Sequence, residues 1–443
     1  MSRQLFAGHP EGVESNISPM PRRRWRIAWL LGLGVLINYF DRVNLSVSHN
    51  ALTVDFGISD ITFGYLLGAY NWSYALCQLP MGVVLDKFGV RKVGRISTLI
   101  WSIASFAAAV AQGIGGLFSA RLFLGLGESP AFPANAKAIG SWFPVQERSF
   151  AMSLYDSAAK FASAIGVPLI GILLLHVGWR LSFAATGVIS FLYFVLFFWM
   201  YCEPEKDARL SMTEFALIRA QHGDRPYGSK DPRASLGYLL RQRKVLGLAL
   251  GFGSYNYTFY LLLTWLPSYL SESLHIDLLH SFLYTGFPWL VATFTELLLG
   301  GWLVDALIRH GWNANRVRLA VLVAGTALGL GILGAGLSHS ATQALAWISL
   351  SNGGLAAASP VGWSIPALIA PPGSVGRVGG ILNFSNQISG IAAPIVTGYL
   401  VYALHSFTAA FAVAGAYLIV GISGYLFLLQ NVDPIVPERA EVA

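Results

Sequence analysis

Gly82-Val83-Val84-Leu85-Asp86-Lys87-Phe88-Gly89-Val90-Arg91-Lys92 closes one apolar run, residues 61–84, and leads into the next, 94–112. Each run has the roughly 20 mostly apolar residues that a helix needs to cross a bilayer. The stretch between them therefore reads as a turn at a membrane surface. Its glycines let two helix ends approach, Asp86 can accept bonds from a neighbouring helix N-terminus, and Lys87, Arg91 and Lys92 hold to charged headgroups. A basic loop alone would serve as a topology anchor. The spacing of Gly82, Asp86, Arg91 and Lys92 favours a gating latch that opens when two packed bundles rock. A degenerate copy, Gly301-Trp302-Leu303-Val304-Asp305 followed by Arg309 and Gly311, stands much later in the chain.

Composition supports the same reading. Of 443 residues, 55% are hydrophobic and 13% aromatic, only 12% are charged, and the mean hydropathy is +0.57. A water-soluble protein carries roughly a quarter of its residues charged. The shortfall excludes an ordinary soluble enzyme, a disordered regulator and a disulfide-stapled secreted domain. Two cysteines, Cys77 and Cys202, cannot build a disulfide framework. Apolar runs recur near 27–48, 61–84, 94–112, 115–140, 150–175, 180–202, 245–270, 281–307, 317–337, 343–369, 378–402 and 407–430, which predicts an all-α membrane protein of twelve transmembrane helices. The first twenty residues are polar and no cleavage site follows the first run, so that run is expected to remain as helix 1.

The net charge of +7 belongs to the membrane surface rather than to a nucleic-acid site. If the two termini share a side, all but five of the 29 lysines and arginines fall there; Arg180 lies opposite, and Arg42, Arg121, Lys137 and Lys160 lie in or near spans. The positive-inside rule then makes the basic side cytoplasmic, in a plasma membrane of bacterial inner-membrane type.

The layout expected is a cytoplasmic tail over 1–24, a six-helix bundle over 25–202, a cytoplasmic linker over 203–244, a second bundle over 245–430 and a tail over 431–443. In the linker, Ser211-Met212-Thr213-Glu214 before Phe215 is a capping-box pattern for a short surface helix. Besides the Gly82 and Gly301 copies, Ser163-x-Ile165-x-x-Pro168 in the fifth run echoes Ser389-x-Ile391-x-x-Pro394 in the eleventh. Paired echoes in equivalent spans argue for duplication, and parallel repeats with a site between them near the midplane are a transporter architecture.

Gly82 to Lys92 resembles the loop signature of the major facilitator superfamily. Asn38-Tyr39-Phe40-Asp41-Arg42-Val43-Asn44-Leu45, Arg121 with Glu128-Ser129-Pro130-Ala131-Phe132-Pro133-Ala134-Asn135, Trp142-Phe143-Pro144-x-x-Glu147-Arg148 and Gly380-Ile381-Leu382-Asn383-Phe384 are similar to its anion:cation symporter family. That family includes bacterial galactonate, glucarate and hexuronate transporters and animal sialin. The resemblance implies a proton-coupled symporter that imports a small organic anion, and it covers nearly all of 25–430.

Ionisable groups inside spans cost a few kcal/mol each on insertion scales, so each demands a partner, a cavity or a function. Asp41 and Arg42 are adjacent, about 100° apart on a helix, and must face different neighbours. Asp41 is either neutralised by an arginine on another helix or exchanges a proton for such a bond. Arg121 and Glu128, seven apart, share one face of the fourth span, where Pro130 and Pro133 bend the helix and free carbonyls. Asp156 and Lys160, at i and i+4, either satisfy each other or present Lys160 to a central cavity. By resemblance, Asp41 and Glu128 carry protons, Arg121 links them to conformation, and Arg42 meets the cargo's carboxylate. The family commonly has glutamine where Lys160 stands, which suits Lys160 to a second carboxylate or a more compact anion. Tyr39, Tyr74 and Trp363 match pocket-lining positions, and Asn383 can both donate and accept toward a hydroxy-acid; packing and helix–helix bonding are the plainer readings of all four. Glu296 has no counterpart to carry over, and His49 reads as an interfacial residue.

No metal-ligand spacing and no phosphate-binding glycine loop occurs, so no metal, cofactor or ATP drive is expected. The partners expected are a small organic anion, protons and lipid, with no nucleic acid, and a monomer. A proton-independent exchanger or uniporter is the near alternative. A membrane-embedded enzyme would need a nucleophile or metal constellation, and a sensor would need an appended signalling domain; neither is evident.

Overall fold

The computed structural model describes residues 22–143, 148–220, 234–371 and 374–435. Every element among them is helical. α1 (Arg23–Val47) is followed by the short α2 (His49–Phe56). α3 (Asp60–Ala109) carries the expected second and third spans in one element that folds back at Gly89. α4 (Ile114–Glu128) and α5 (Ala131–Trp142) make the fourth, and α6 (Arg148–Met200) carries the fifth and sixth with a break at Gly178. The linker holds α7 (Met212–Ala220) and α8 (Leu236–Arg241). Beyond it come α9 (Arg243–Ser268), α10 (Leu278–Thr295), α11 (Val304–Arg309), α12 (Ala314–Gly329), α13 (Gly331–Gly336), α14 (Ala341–Ile369), α15 (Val375–Leu404) and α16 (Thr408–Ser423). These elements follow the twelve expected spans in order. Wide π turns over Glu296–Leu303 join α10 to α11, so Glu296 opens a distorted segment inside the eighth span. Among the described residues, five stretches are long and apolar enough on their own to cross a bilayer, and one of them, Leu154–Met200, has 47 residues, enough for two crossings.

Gly89 explains how α3 reverses. Its φ of 77° lies in the region that favours glycine, and the backbone N–H of Arg91 just after it donates to Glu203 Oε1 at 3.1 Å. A carboxylate from the end of α6 thus caps the third span. Lys92 is exposed. The side chain of Asp86 and the surroundings of Gly82, although within α3, lie outside the described residues, as do Pro144, Glu147 and most of both tails.

The linker helix forms where its capping pattern points, with Ser211 Oγ accepting from the Glu214 N–H at 3.2 Å. Glu214 itself goes elsewhere. It is buried, pairs with Arg24 Nη1 at 2.9 Å, and accepts from the backbone N–H groups of Arg23 and Arg24. Since the first-turn N–H groups of a helix have no partner within it, this carboxylate caps α1. Arg23 meets Asp207 at 2.7 Å beside it.

Between the halves, two contacts mirror each other under the expected repeat. A Cβ added at Gly64 in α3 would lie 2.7 Å from the Pro394 carbonyl in α15. One added at Gly286 in α10 would lie 2.4 Å from the Ala164 carbonyl and 3.0 Å from Pro168 in α6. The two prolines are those of the Ser163 and Ser389 echoes, and only glycine allows so close an approach. Among the described residues, hydrogen bonds across the halves sit near mid-span or at the end away from the basic loops. Asn71 Nδ2 donates to the Gly390 carbonyl at 2.8 Å, Ser46 to the Thr264 carbonyl, and Tyr65 and Tyr399 share a bond at 3.2 Å.

Candidate functional site

Asp41 and Arg42, one residue apart on α1, do face different neighbours. The Asp41 carboxylate turns between α3 and α6, where Oδ2 accepts from Trp101 Nε1 and from Ser190 Oγ, both at 2.8 Å. It is 2% exposed. Arg121 reaches it only through the backbone, donating Nη1 to the Asp41 carbonyl at 3.2 Å. Among the described residues Asp41 has no cation within ion-pair distance, so it is not locked to an arginine. Arg42 turns the other way and meets Glu128 Oε2 at 3.2 Å, both side chains buried. Its guanidinium lies 4.5 Å from the Tyr39 ring centre, 4.6 Å from Tyr70 and 5.6 Å from Tyr74. Desolvated cation–π contacts are worth about 2 kcal/mol or more each. Arg42 is therefore held by faces of tyrosines as well as by charge.

Glu128 is placed by the chain break that the prolines force. α4 stops at Glu128 and α5 begins at Ala131, and the carbonyls freed at the break find side chains: Ser97 donates to Gly127 and Gln78 to Ser129. Arg121 and Glu128 share α4 but are not paired; Arg121 is buried under Tyr70, 5.5 Å from its ring centre.

Lys160 does pair with Asp156, and it has a second partner besides. Its Nζ lies 3.1 Å from Asp156 Oδ2 on its own helix and 3.1 Å from Glu296 Oε2, across on the other half. Glu296, for which sequence reasoning found no role, is thus the partner of Lys160. Trp363 on α14 is 42% exposed and stands edge-on to Phe252 at 5.1 Å, while Asn383 on α15 is half-buried.

At the far end from the basic loops, His49 is buried rather than interfacial. Nε2 lies 3.3 Å from Asp60 and Nδ1 3.2 Å from Glu272 in the other half and 2.8 Å from Ser268, with Phe63 stacked on the ring and Trp265 edge-on to it. The two carboxylates sit on opposite ring nitrogens. One metal ion cannot use both without turning the ring, whereas an imidazolium satisfies both at once. Burial opposes the charge, but Asp60 and Glu272 outweigh it and raise the imidazole above its ordinary value near 6.5. A cavity of about 460 Å³ opens beside this cluster, lined by Asp60, Glu272, His275, His339 and His405 among others. None of Asp41, Arg42, Glu128, Lys160 and Glu296 lines it.

Residues 31–394 match the Major Facilitator Superfamily. The chain belongs to that superfamily. As a major facilitator it is a multi-pass membrane transporter and not an enzyme. It is 41% identical to an uncharacterized transporter, YybO, of Bacillus subtilis, over 93% of this chain and 95% of that one. It is 32% identical to a D-galactonate transporter of Escherichia coli O6:H1 (96% and 99%) and 33% identical to a probable sulfoacetate transporter, SauU, of Cupriavidus necator (95% and 98%). The likeness to bacterial sugar-acid transporters expected from Asp41-Arg42 and Glu128 is borne out. In shape, this major facilitator matches a bacterial homologue of the human lysosomal transporter Spinster in an inward-facing, occupied conformation, with a TM-score of 0.73 over 93% of this chain and 97% of that one, at 17% identity.

Trp101, Ser190 and Tyr70 were not singled out by sequence reasoning, and Glu296 was noted there without a role. Tyr70 had a signal, standing one turn before Tyr74 on the same face, and Glu296 had one as an acid within an apolar run. The hydroxyl and indole that hold Asp41 had none.

Proposed function

We propose that the protein imports a small organic anion together with protons by alternating access, the cargo being a sugar acid such as a hexonate, hexuronate or aldarate, or another carboxylate. The basic face is cytoplasmic in this reading, with both termini inside a bacterial inner membrane, and the protein acts as a monomer. The halves are the bundles over 25–202 and 245–430. Asp41 and Glu128 carry the protons, and Arg121, bonded to the Asp41 carbonyl beside Tyr70, relates their protonation to the position of α1. Arg42 receives the cargo's carboxylate. Tyr39, Tyr74, Lys160, Trp363 and Asn383 line its path, while Gly82, Asp86, Arg91 and Lys92 gate the cytoplasmic side.

One observation carries this reading: Asp41 is buried with only neutral donors, Trp101 and Ser190, on its carboxylate. An ionised carboxylate away from water and cations costs several kcal/mol, and a proton removes that cost. Arg42 by contrast already holds one carboxylate, Glu128, and a proton on Glu128 would release the guanidinium to another. Loading H⁺ and anion together then leaves the charge in the core unchanged.

The test is uptake into proteoliposomes of D-galactonate, D-glucarate, D-galacturonate and sulfoacetate, with and without an imposed pH difference. Accumulation of at least one of them above its outside concentration, only when the outside is more acidic, is expected. Uptake that never exceeds equilibration under any gradient would make the protein an exchanger or uniporter.

A further inference from the structure

Lys160 and Glu296 form a buried ion pair between the two halves, each side chain 5% exposed, with Nζ 3.1 Å from one carboxylate oxygen and 3.2 Å from the other. Lys160 comes from α6, on the first half. Glu296 comes from the π segment after α10, on the second, and such distorted turns recur at working sites. Asp156, one turn before Lys160 and 25% exposed, is a second carboxylate on the same ammonium. The cluster therefore has two acids and one cation; Glu296 faces both Lys160 and the Asp156 carboxyl across the halves, and Tyr255 on α9 stands near Lys160 and Glu296 as a further titratable group.

Alternating access must separate groups bonded across the halves. Pulling a buried pair apart strands two charges, and breaking such pairs is strongly destabilising unless each partner finds a substitute. Lys160 has a substitute in an organic anion, whose carboxylate can take the place of Glu296. Glu296 has one in a proton. We propose that Glu296 is the internal competitor for the cargo's carboxylate at Lys160, and that it releases Lys160 by taking up a proton as the cargo binds. The inference rests on the reading of Lys160 as a cargo residue. The balance is simple: one carboxylate anion enters, one H⁺ from the outer water joins a Glu296 oxygen, the Lys160–Glu296 contact opens, and Lys160 remains an ammonium bonded to Asp156 and cargo. Cargo alone would leave Glu296 ionised and unpaired, and a proton alone would leave Lys160 short of one partner. The pair thus requires both, and it adds a proton site on the second half to the two proposed on the first.

The experiment is calorimetric binding to the purified full-length protein, between pH 5.5 and 8.5, of whichever of D-galactonate, D-glucarate, D-galacturonate and sulfoacetate is taken up. Buffers of different ionisation enthalpy count the protons bound. Glu296→Gln keeps the size and the hydrogen-bonding but cannot titrate. It should bind the anion about tenfold more tightly than the parent at pH 8 and take up one proton fewer per anion, since each linked proton is worth a factor of ten per pH unit. Lys160→Gln should weaken binding at least tenfold. Should Glu296→Gln fold poorly, the Lys160→Gln/Glu296→Gln double variant, in which the partly exposed Asp156 is the cluster's one remaining charge, must bind as weakly as Lys160→Gln and show the reduced proton count. An unchanged proton count in Glu296→Gln overturns the inference while leaving the cargo reading intact. Unchanged binding in Lys160→Gln, or uptake of none of the four anions, overturns the reading of Lys160 and the inference with it.

Discussion

Arg42 and Lys160 each meet a buried carboxylate, but Arg42 finds Glu128 within its own half and Lys160 finds Glu296 across the interface. The first pair travels with one bundle and can persist through a rocking motion. Its guanidinium also lies against the rings of Tyr39 and Tyr70. The second lies where the bundles must part. In the proposed mechanism the same chemistry serves two ends: a pair inside one half sets which groups are charged, and a pair between halves sets when the halves may move.

The largest effect should come from the carboxylate beside the first pair. Asp41→Asn should lower pH-driven accumulation at least a hundredfold, measured as uptake into proteoliposomes, while exchange of labelled for unlabelled anion persists. Full driven uptake in that variant would mean that the first half's acids are structural. Next comes Arg42→Ala, which strands Glu128. Removing one partner of a buried pair costs about 3–5 kcal/mol, so thermal unfolding should fall markedly and anion binding should be lost. If Arg42→Ala is no less stable than the parent, the within-half pair is not what holds α1 to α4.

A third test concerns the far end, where His49 bridges Asp60 and Glu272 between the halves. Because these carboxylates raise the imidazole above its ordinary value near 6.5, the bridge is complete below that pH and is lost as pH rises through the raised value. Cysteines placed at Ser46 and Thr264 should cross-link several-fold faster in acid than in alkali when each rate is divided by that of the same cysteine pair in His49→Gln at the same pH, a ratio that cancels the rise of thiolate reactivity with pH. The smallest effect should follow Ser211→Ala, which removes the cap of the linker helix. It should cost about 1 kcal/mol of helix stability and leave anion uptake unchanged, separating α7 from both charge clusters.

Much of this arrangement was legible in the chain. Adjacent Asp41 and Arg42 had to diverge by helix geometry, and they do. The prolines after Glu128 were expected to bend the fourth span, and it is interrupted there between Glu128 and Ala131. The i, i+4 spacing gave Lys160 and Asp156 to each other. What sequence spacing does not carry is contact between distant helices. Glu296 stands 136 residues from Lys160, His49 stands 219 from Ser268, and Trp101 stands 60 from Asp41. The Glu214 of the linker shows the limit locally as well: its capping pattern predicted the helix, but its carboxylate is spent on α1, a choice fixed only by how the linker folds back.

The central claim is that protons enter with the anion through acids that are not permanently paired. It is tested most directly by a pH-sensitive dye sealed in proteoliposomes, with transported anion added outside at matched pH. The account predicts that the lumen acidifies as anion enters, and that Asp41→Asn abolishes the signal while still exchanging anion. Entry of the anion with no change in lumenal pH would contradict it.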